Sequence, residues 1–214
     1  MATHLVKIRR QTGASLIELM IASIIGVIAL GIVGSVFVTG QKLASERGKE
    51  LLLVQNLSST TLQIKEDVQR AGFDGIGSIS AKLSGASSSI HSQADQLAYA
   101  YRVASSGSSA FRNVVYKREA SGSPSVGDAL KICEKYSAAP LTVASAAASV
   151  LGNACYQIFN PKQISISQLQ LTTATVASDS ADNKIVTITL TGHLLSDPTN
   201  THTAVIKTIQ RNWQ

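Results

Sequence analysis

The first 123 residues of this 214-residue chain contain no proline, and a long run near the N-terminus contains no charged residue. Both absences limit the structures that this region can form. No proline occurs before Pro124, so no helix in that region is broken by a missing backbone donor. No charged residue occurs between Leu19 and Gln41, and the residues there are apolar, small or hydroxyl-bearing. About 20 helical residues, each rising about 1.5 Å, cross the hydrocarbon core of a bilayer. A single membrane anchor is therefore predicted near the N-terminus.

Patterns that carry catalytic chemistry are also missing from the sequence. No serine lies in a Gly-x-Ser-x-Gly turn, and the segment GFDGIGS lacks the third glycine of a nucleotide-binding loop. We interpret Gly75 and Gly77 in that segment as turn residues. We therefore expect no enzyme activity, no catalytic residues and no cofactor.

Metal-binding patterns are equally weak. Asp179 and Asp182 beside Asn183 suggest calcium, but a polar hairpin turn is favoured because no EF-hand glycine and closing glutamate follow. The histidines of the β-rich part are scattered in polar contexts, at His91, His193 and His202. We predict no metal site.

The chain contains only two cysteines, Cys133 and Cys155. If this part of the protein lies outside the cytoplasm, a disulfide is the expected state, and closing such a loop contributes about 3 kcal/mol. A zinc site is the alternative. It would need two more ligands, and the sequence shows no Cys-x-x-Cys or paired-histidine spacing.

The N-terminus combines a basic leader that ends at Gly13 with an apolar run that contains one carboxylate, Glu18. An ionised glutamate inside a membrane segment costs about 2.5–3.5 kcal/mol even on lenient insertion scales, so it usually has a partner and a function. The apolar run itself supplies no cation. A partner for Glu18 must come from elsewhere.

The stretch TGASLIELMIA behind a Lys- and Arg-bearing leader resembles the processing site of type IV prepilins. The resemblance implies cleavage after Gly13 by a membrane prepilin peptidase, which also methylates the new N-terminal residue, Ala14. It also implies that Glu18 neutralises the amine of a neighbouring subunit. Ala14 departs from the phenylalanine that is usual in the family after the cut.

Two further segments resemble minor pilins of the PilW-type, PpdB-like group. These are IKEDVQRAGFDGIG, residues 64–77, at the junction of helix and head, and VIKTIQRNW, residues 205–213, as a terminal strand. The segment between them, roughly residues 78–183, shows no resemblance. The family fold and role are therefore expected from the two ends of the chain.

Other N-terminal signals compete with the prepilin interpretation. A secretory signal has an apolar core of about 7–15 residues, which is shorter than this run. The pair Arg9 and Arg10 suggests twin-arginine export, but the residues that follow carry the glycine-cut pattern. A plain signal anchor is also possible, although it has no reason to keep Glu18.

The expected fold class is α+β, with a long N-terminal helix packed on an antiparallel β-sheet head. We divide the chain into a leader (1–13), a helix (14–72) and a β-rich head (73–214). Within the helix, residues 14–41 form the anchor and residues 42–72 an amphipathic part. Apolar residues at three- and four-residue steps, with Thr61 filling one gap, mark the buried stripe of the latter: Leu51, Val54, Leu57, Ile64, Val68 and Ala71. Gly72 is expected to end the helix.

Alternation of apolar and polar residues predicts six strands in the head. They are Gln96–Val103, Arg112–Glu119, Ala129–Lys135, Gln163–Leu171, Lys184–Thr191 and Thr203–Trp213. The core is expected under Val186, Ile188 and Leu190. The segment Leu141–Leu151 is either a loop or a short helix.

The formal net charge of +6 overstates the basicity of the mature protein, because Lys7, Arg9 and Arg10 leave with the leader and the value falls to +3. A cluster at Arg112 and at residues 116–118 raises the possibility of DNA binding. On a strand, however, Arg112 and Arg118 face one way and Lys117 the other, so the cluster forms no continuous phosphate-binding stripe. We expect a solvated sheet face and no nucleic-acid partner.

The resemblance implies a structural protein, a minor pilin that takes part in starting type IV pilus assembly at the filament tip. Its expected location is the inner membrane, with a single span and a periplasmic head, and then the pilus tip. The expected partners are the prepilin peptidase/N-methyltransferase and other minor and major pilins, contacted through the N-terminal helix. A J-type pseudopilin of a type II secretion system is one alternative. A membrane-anchored adhesin or ligand-binding domain is another.

Overall fold

The computed structural model describes residues 13, 15–76, 79–149, 155–176 and 183–210. A helix, α1, covers Leu16–Arg70. The chain divides into two compact units, Met1–Gly48 and Lys49–Gln214, so the boundary falls inside α1.

In the first unit, α1 is exposed within the chain from its first residue to Gly48. It is the one helix among the described residues that is long and apolar enough to cross a membrane, with a mean hydropathy of 2.6 over 18 residues and none of that window buried. The hydroxyls of Ser23, Ser35 and Thr39 donate to carbonyl oxygens three or four residues earlier, at 2.8–2.9 Å. These bonds satisfy polar groups that hydrocarbon cannot solvate.

Among its described residues, the second unit contains two antiparallel sheets, where the sequence predicted one. The first sheet has the order β1-β2-β3-β4-β5 and the second the order β6-β7-β8. Their bounds are β1 Ile90–Gln93, β2 Gln96–Arg102, β3 Phe111–Glu119, β4 Ala129–Ser137, β5 Cys155–Gln157, β6 Ile164–Val176, β7 Asn183–Leu194 and β8 Asp197–Gln210. A short helix, α2, covers Val143–Ala147 between β4 and β5. The α+β class is confirmed.

The main core lies between the C-terminal part of α1 and one face of each sheet. The buried positions of α1 recur every three or four residues and form one stripe, which Ala71 continues just after the helix: Leu53, Leu57, Thr60, Thr61, Ile64, Asp67 and Val68. The prediction that Leu51 belongs to this stripe is wrong, because 57% of Leu51 is exposed and Leu53 takes the buried position. Four other predicted members, Leu57, Ile64, Val68 and Ala71, are fully buried, and Val54 is partly buried. The sequence missed two polar members of the stripe, Thr60 and Asp67. Gly72 adopts φ 82° directly after the helix, as expected of a C-terminal stop.

Alternation along the first sheet separates two apolar clusters. Val114 and Tyr116 of β3 point into the main core, whereas Val115 points to the opposite face. On that face Cys133 and Ala146 of α2 form a second, smaller cluster. For Leu141–Leu151 the sequence allowed either a loop or a short helix, and the structure has a helix within this segment, α2. Residues 150 and 151 lie outside the described residues.

All six predicted strands are present, with ends shifted by up to several residues. Two short strands were not predicted, β1 and β5, because four and three residues give too little alternation to recognise. Val186, Ile188 and Leu190 are fully buried, as expected. Gly192 in β7 lies where sheet and helix meet: an added Cβ would come within 2.9 Å of Ile166 Cδ1 and 3.4 Å of Leu57 Cδ2. Glycine is needed there for space.

Candidate assembly site

The start of α1 carries the glutamate half of a capping box, in which Glu18 accepts a hydrogen bond from the backbone of Ser15. The backbone amide of Ser15 donates to Glu18 Oε2 at 3.1 Å, and the amide of Leu19 donates to the Ser15 carbonyl at 3.2 Å. A carboxylate in the first turn also interacts favourably with the positive end of the helix dipole. Glu18 is therefore held by its own chain at the helix N-terminus. The pattern Ser-x-x-Glu before an apolar run indicates such a helix start, but this contact was not predicted from the sequence.

The predicted cleavage site lies directly before this box. A Cβ added at Gly13 would meet no atom within 4 Å among the described residues, so a larger side chain there has room in the folded chain. A substitution of Gly13 can therefore test processing without disturbing described packing. Ala14 and residues 1–12 lie outside the described residues.

A buried polar contact fixes α1 to the head. Asp67 of α1 is 8% exposed, and its Oδ2 accepts a hydrogen bond from the Tyr116 hydroxyl at 2.6 Å. Burial, and next the charge of Asp67, raises the pKa of Tyr116 well above its ordinary value. Burial also raises the pKa of Tyr99, with smaller contributions from nearby Tyr116 and Asp67, although its hydroxyl makes no hydrogen bond of good geometry among the described residues. Sequence reasoning missed Asp67 because a carboxylate at a core position breaks the apolar pattern.

The basic cluster on β3 is neutralised inside the head. Arg112 pairs with Glu134 on β4. Arg118 bonds Asp95 at 2.7 Å and also pairs with Asp128. The hydrogen bond from Arg118 lowers the pKa of Asp95, and the bond to Asp95 raises the pKa of Arg118.

Lys117, on the other face of β3, pairs with Glu119 at 3.4 Å. The pKa of Glu119 is lowered first by its hydrogen bond to Lys131. The cluster is therefore a set of ion pairs within the head. Near the C-terminus, Lys207 of β8 is exposed between the exposed residues Val205 and Ile209, while Arg211 and Trp213 lie outside the described residues.

Cys133 and Cys155 form a disulfide between the paired strands β4 and β5. The described residues contain no group of three or more histidine, cysteine, aspartate or glutamate side chains placed to hold a metal ion. Asp179 and Asp182 lie outside the described residues, as does Gly77, and Asn183 begins β7.

Comparison with known proteins identifies the family. Residues 46–210 match the family described as prepilin peptidase-dependent protein B. The chain belongs to the prepilin peptidase-dependent protein B family. No curated protein and no solved structure gives a match.

The match to the prepilin peptidase-dependent protein B family covers most of the chain, including the C-terminal part of α1, both sheets and the disulfide. It therefore supports a pilin-like protein, structural rather than catalytic. The matched residues begin after the apolar run, so Gly13, Ala14 and Glu18 lie outside the match. Their roles depend on the sequence and on the geometry of the capping box.

Proposed function

We propose that this protein is a minor pilin that takes part in starting type IV pilus assembly at the filament tip. In this proposal a prepilin peptidase removes residues 1–13 and methylates Ala14. The apolar part of α1 then holds the protein in the inner membrane with its head in the periplasm. Assembly proceeds through contacts of α1 with other minor and major pilins.

The observation that carries the proposal is the carboxylate of Glu18 at the start of a helix that has no further charge until Lys42. Its insertion into a bilayer is unfavourable by about 2.5–3.5 kcal/mol, which a plain anchor would avoid by using an apolar residue. The Ser15 amide engages only Oε2. Oε1 of Glu18 accepts no hydrogen bond from the described residues. In this proposal it accepts one from the amine of a neighbouring subunit. Such a pair would neutralise both charges inside the membrane.

Replacement of Glu18 by alanine tests this role. Breaking a buried ion pair by removing one partner costs about 3–5 kcal/mol, enough to prevent a subunit from joining a complex. We expect Glu18→Ala to reach the membrane and to be cleaved, but to support few surface pili and to lose co-purification with other pilins. Glu46→Ala, which removes an exposed carboxylate of the same helix beyond the apolar run, is the matched control.

Electron microscopy counts of surface pili decide between the outcomes. Wild-type numbers in the Glu18→Ala strain would contradict the pairing role. A deletion strain that keeps its pili but loses protein secretion would assign the protein to a type II secretion system instead.

A further inference from the structure

Three of the four sheet edges that the structure describes in the second unit are short or covered. The first sheet ends in β1 and β5, which are only four and three residues long, and the disulfide also ties β5 to β4. On the outer edge of β6, the Leu171 carbonyl accepts a hydrogen bond from the Ser92 hydroxyl at 2.9 Å. The Ile166 amide of the same edge donates to the Asp128 carbonyl at 3.0 Å. Short strands and covered edges prevent unwanted strand pairing.

The fourth edge is the outer edge of β8, and it is long and open. We call residues 201–210 of this strand the β8 edge. These residues pair without interruption with residues 184–193 of β7. No backbone hydrogen bond joins them to a described residue outside that pairing. At about 3.4 Å per residue the β8 edge extends over roughly 30 Å, and about half of its backbone N–H and C=O groups point away from β7.

The sequence of the β8 edge favours pairing with a further strand. Six of its ten residues are β-branched, and it contains neither proline nor glycine. The register shift between β7 and β8 lies beyond it, at His193 and Leu194, so no bulge interrupts the edge itself. Lys207 is the one charged residue in it. An open edge of this length and composition is a template on which another strand can pair.

The exposed side chains of the β8 edge indicate which strand fits. Thr208 is 6% exposed and faces the head, whereas Val205 and Ile209 are 57% and 54% exposed on the opposite face. Lys207 lies between these two, opposite Thr187 of β7, and forms no ion pair with a described residue. Cross-strand neighbours on one face of a sheet contact each other directly. Apolar residues therefore fit beside Val205 and Ile209, and a carboxylate fits beside Lys207.

We propose that the β8 edge binds an extended strand of a partner protein that carries an apolar, an acidic and an apolar residue at alternate positions. The partner strand adds to the second sheet through backbone hydrogen bonds. Its carboxylate pairs with Lys207, and its apolar side chains pack on Val205 and Ile209. The β8 edge is far in sequence from Glu18 and uses none of the residues of the candidate assembly site. Strand binding and the proposed role of Glu18 can therefore each fail without the other.

Binding of a synthetic peptide to the full-length protein in detergent micelles tests the proposal. The probe is the peptide TVTETVT with blocked ends and a fluorophore, followed by fluorescence anisotropy with protein-free micelles as the blank. We expect saturable binding. Alternate amides of a strand point to opposite edges, so N-methylation of one alternate set of peptide amides should abolish binding, and N-methylation of the other set should change it by no more than about twofold. Equal effects of the two sets, or no saturable binding, would overturn the proposal.

Charge reversal locates the bound strand. The wild-type protein should bind TVTETVT about fivefold more tightly than TVTKTVT, since opposite charges attract across a sheet and like charges repel. Lys207→Glu should reverse this order. Lys162→Glu, which changes an exposed lysine of the head outside β8, should not. Circular dichroism spectra confirm that both variants are folded. An unchanged order in Lys207→Glu, or a reversal in both variants, would overturn the proposal.

Light scattering of the protein without peptide tests the alternative occupant, a second copy of this chain. A partner strand of different sequence leaves the β8 edge of the free protein open, so the peptide should not change the oligomeric state. A dimer that the peptide dissociates would show that a second copy fills the β8 edge, and would overturn the proposed partner.

Discussion

Two buried tyrosines in the same core should respond in opposite ways to loss of their hydroxyl groups. Tyr116 and Tyr99 are both fully buried, but only Tyr116 donates a hydrogen bond, to Asp67 at 2.6 Å. Tyr116→Phe leaves the Asp67 carboxylate buried without this donor, so we expect the head to lose about 2–3 kcal/mol of unfolding free energy. Tyr99→Phe removes a hydroxyl that lies near Asp67 but makes no hydrogen bond of good geometry among the described residues. It should be neutral or stabilise the head by up to about 1 kcal/mol.

Thermal unfolding of the full-length protein, followed by near-ultraviolet circular dichroism in detergent micelles, measures both effects. For a unit of this size each 1 kcal/mol shifts Tm by about 2–4 °C, so Tyr116→Phe should lower Tm by about 4–12 °C. Tyr99→Phe should leave it unchanged or raise it. An equal or larger loss for Tyr99→Phe would refute the assignment of the buried hydrogen bond.

The same two tyrosines set an alkaline limit to stability. Their pKa values are raised in the folded head, first by burial. The unfolded chain therefore releases these protons at lower pH than the folded head does, and the stabilisation is present below about pH 10 and lost as pH rises above it. Tyr116→Phe should make this loss shallower. An unchanged slope would show that Tyr116 ionises equally in both states.

Three further outcomes are expected. Replacing Cys133 and Cys155 together by serine should lower the unfolding free energy of the head by about 2–4 kcal/mol, and non-reducing peptide mapping should find the two linked in the native protein; two freely alkylated thiols would contradict this. Asp95→Asn should weaken the acid dependence of stability: the pKa of Asp95 is lowered by Arg118, so its contribution is present above about pH 3.9 and is lost as pH falls. An unchanged acid limb in a pH titration would contradict it. Gly13→Leu should block cleavage and leave a heavier, membrane-bound protein, and normal maturation of this variant would oppose the prepilin interpretation.

Much of the head was predictable from local pattern, because long strands such as β7 alternate clearly between a buried and an exposed face. The second sheet was not, since alternation identifies strands but does not say which strands pair. Most of the buried stripe of α1 was predicted, but its polar members Thr60 and Asp67 were not. Asp67 occupies a core position because the head supplies a hydrogen-bond donor for its carboxylate, Tyr116, which lies 49 residues further along the chain. Such long-range compensation leaves no local signal.

For the candidate assembly site, the residues were proposed from the sequence and the structure adds one contact. Gly13, Ala14 and Glu18 were proposed from the sequence, and the family match does not include them. The structure adds the bond from the Ser15 amide to Glu18. The contact between β8 and the segment before β1 could not have been predicted, because Gln210 and Ser89, which it joins by a hydrogen bond, lie 121 residues apart in the chain.

The most direct test of the central claim is intact mass spectrometry of the protein purified from its native membrane. A protein processed by the prepilin peptidase should lack residues 1–13 and begin at Ala14, with the mass of one added methyl group on its N-terminal amine. The same preparation from a strain without the peptidase should keep the full leader. A chain that retains residues 1–13 in the wild-type strain, or one that begins at any residue other than Ala14, would contradict the account.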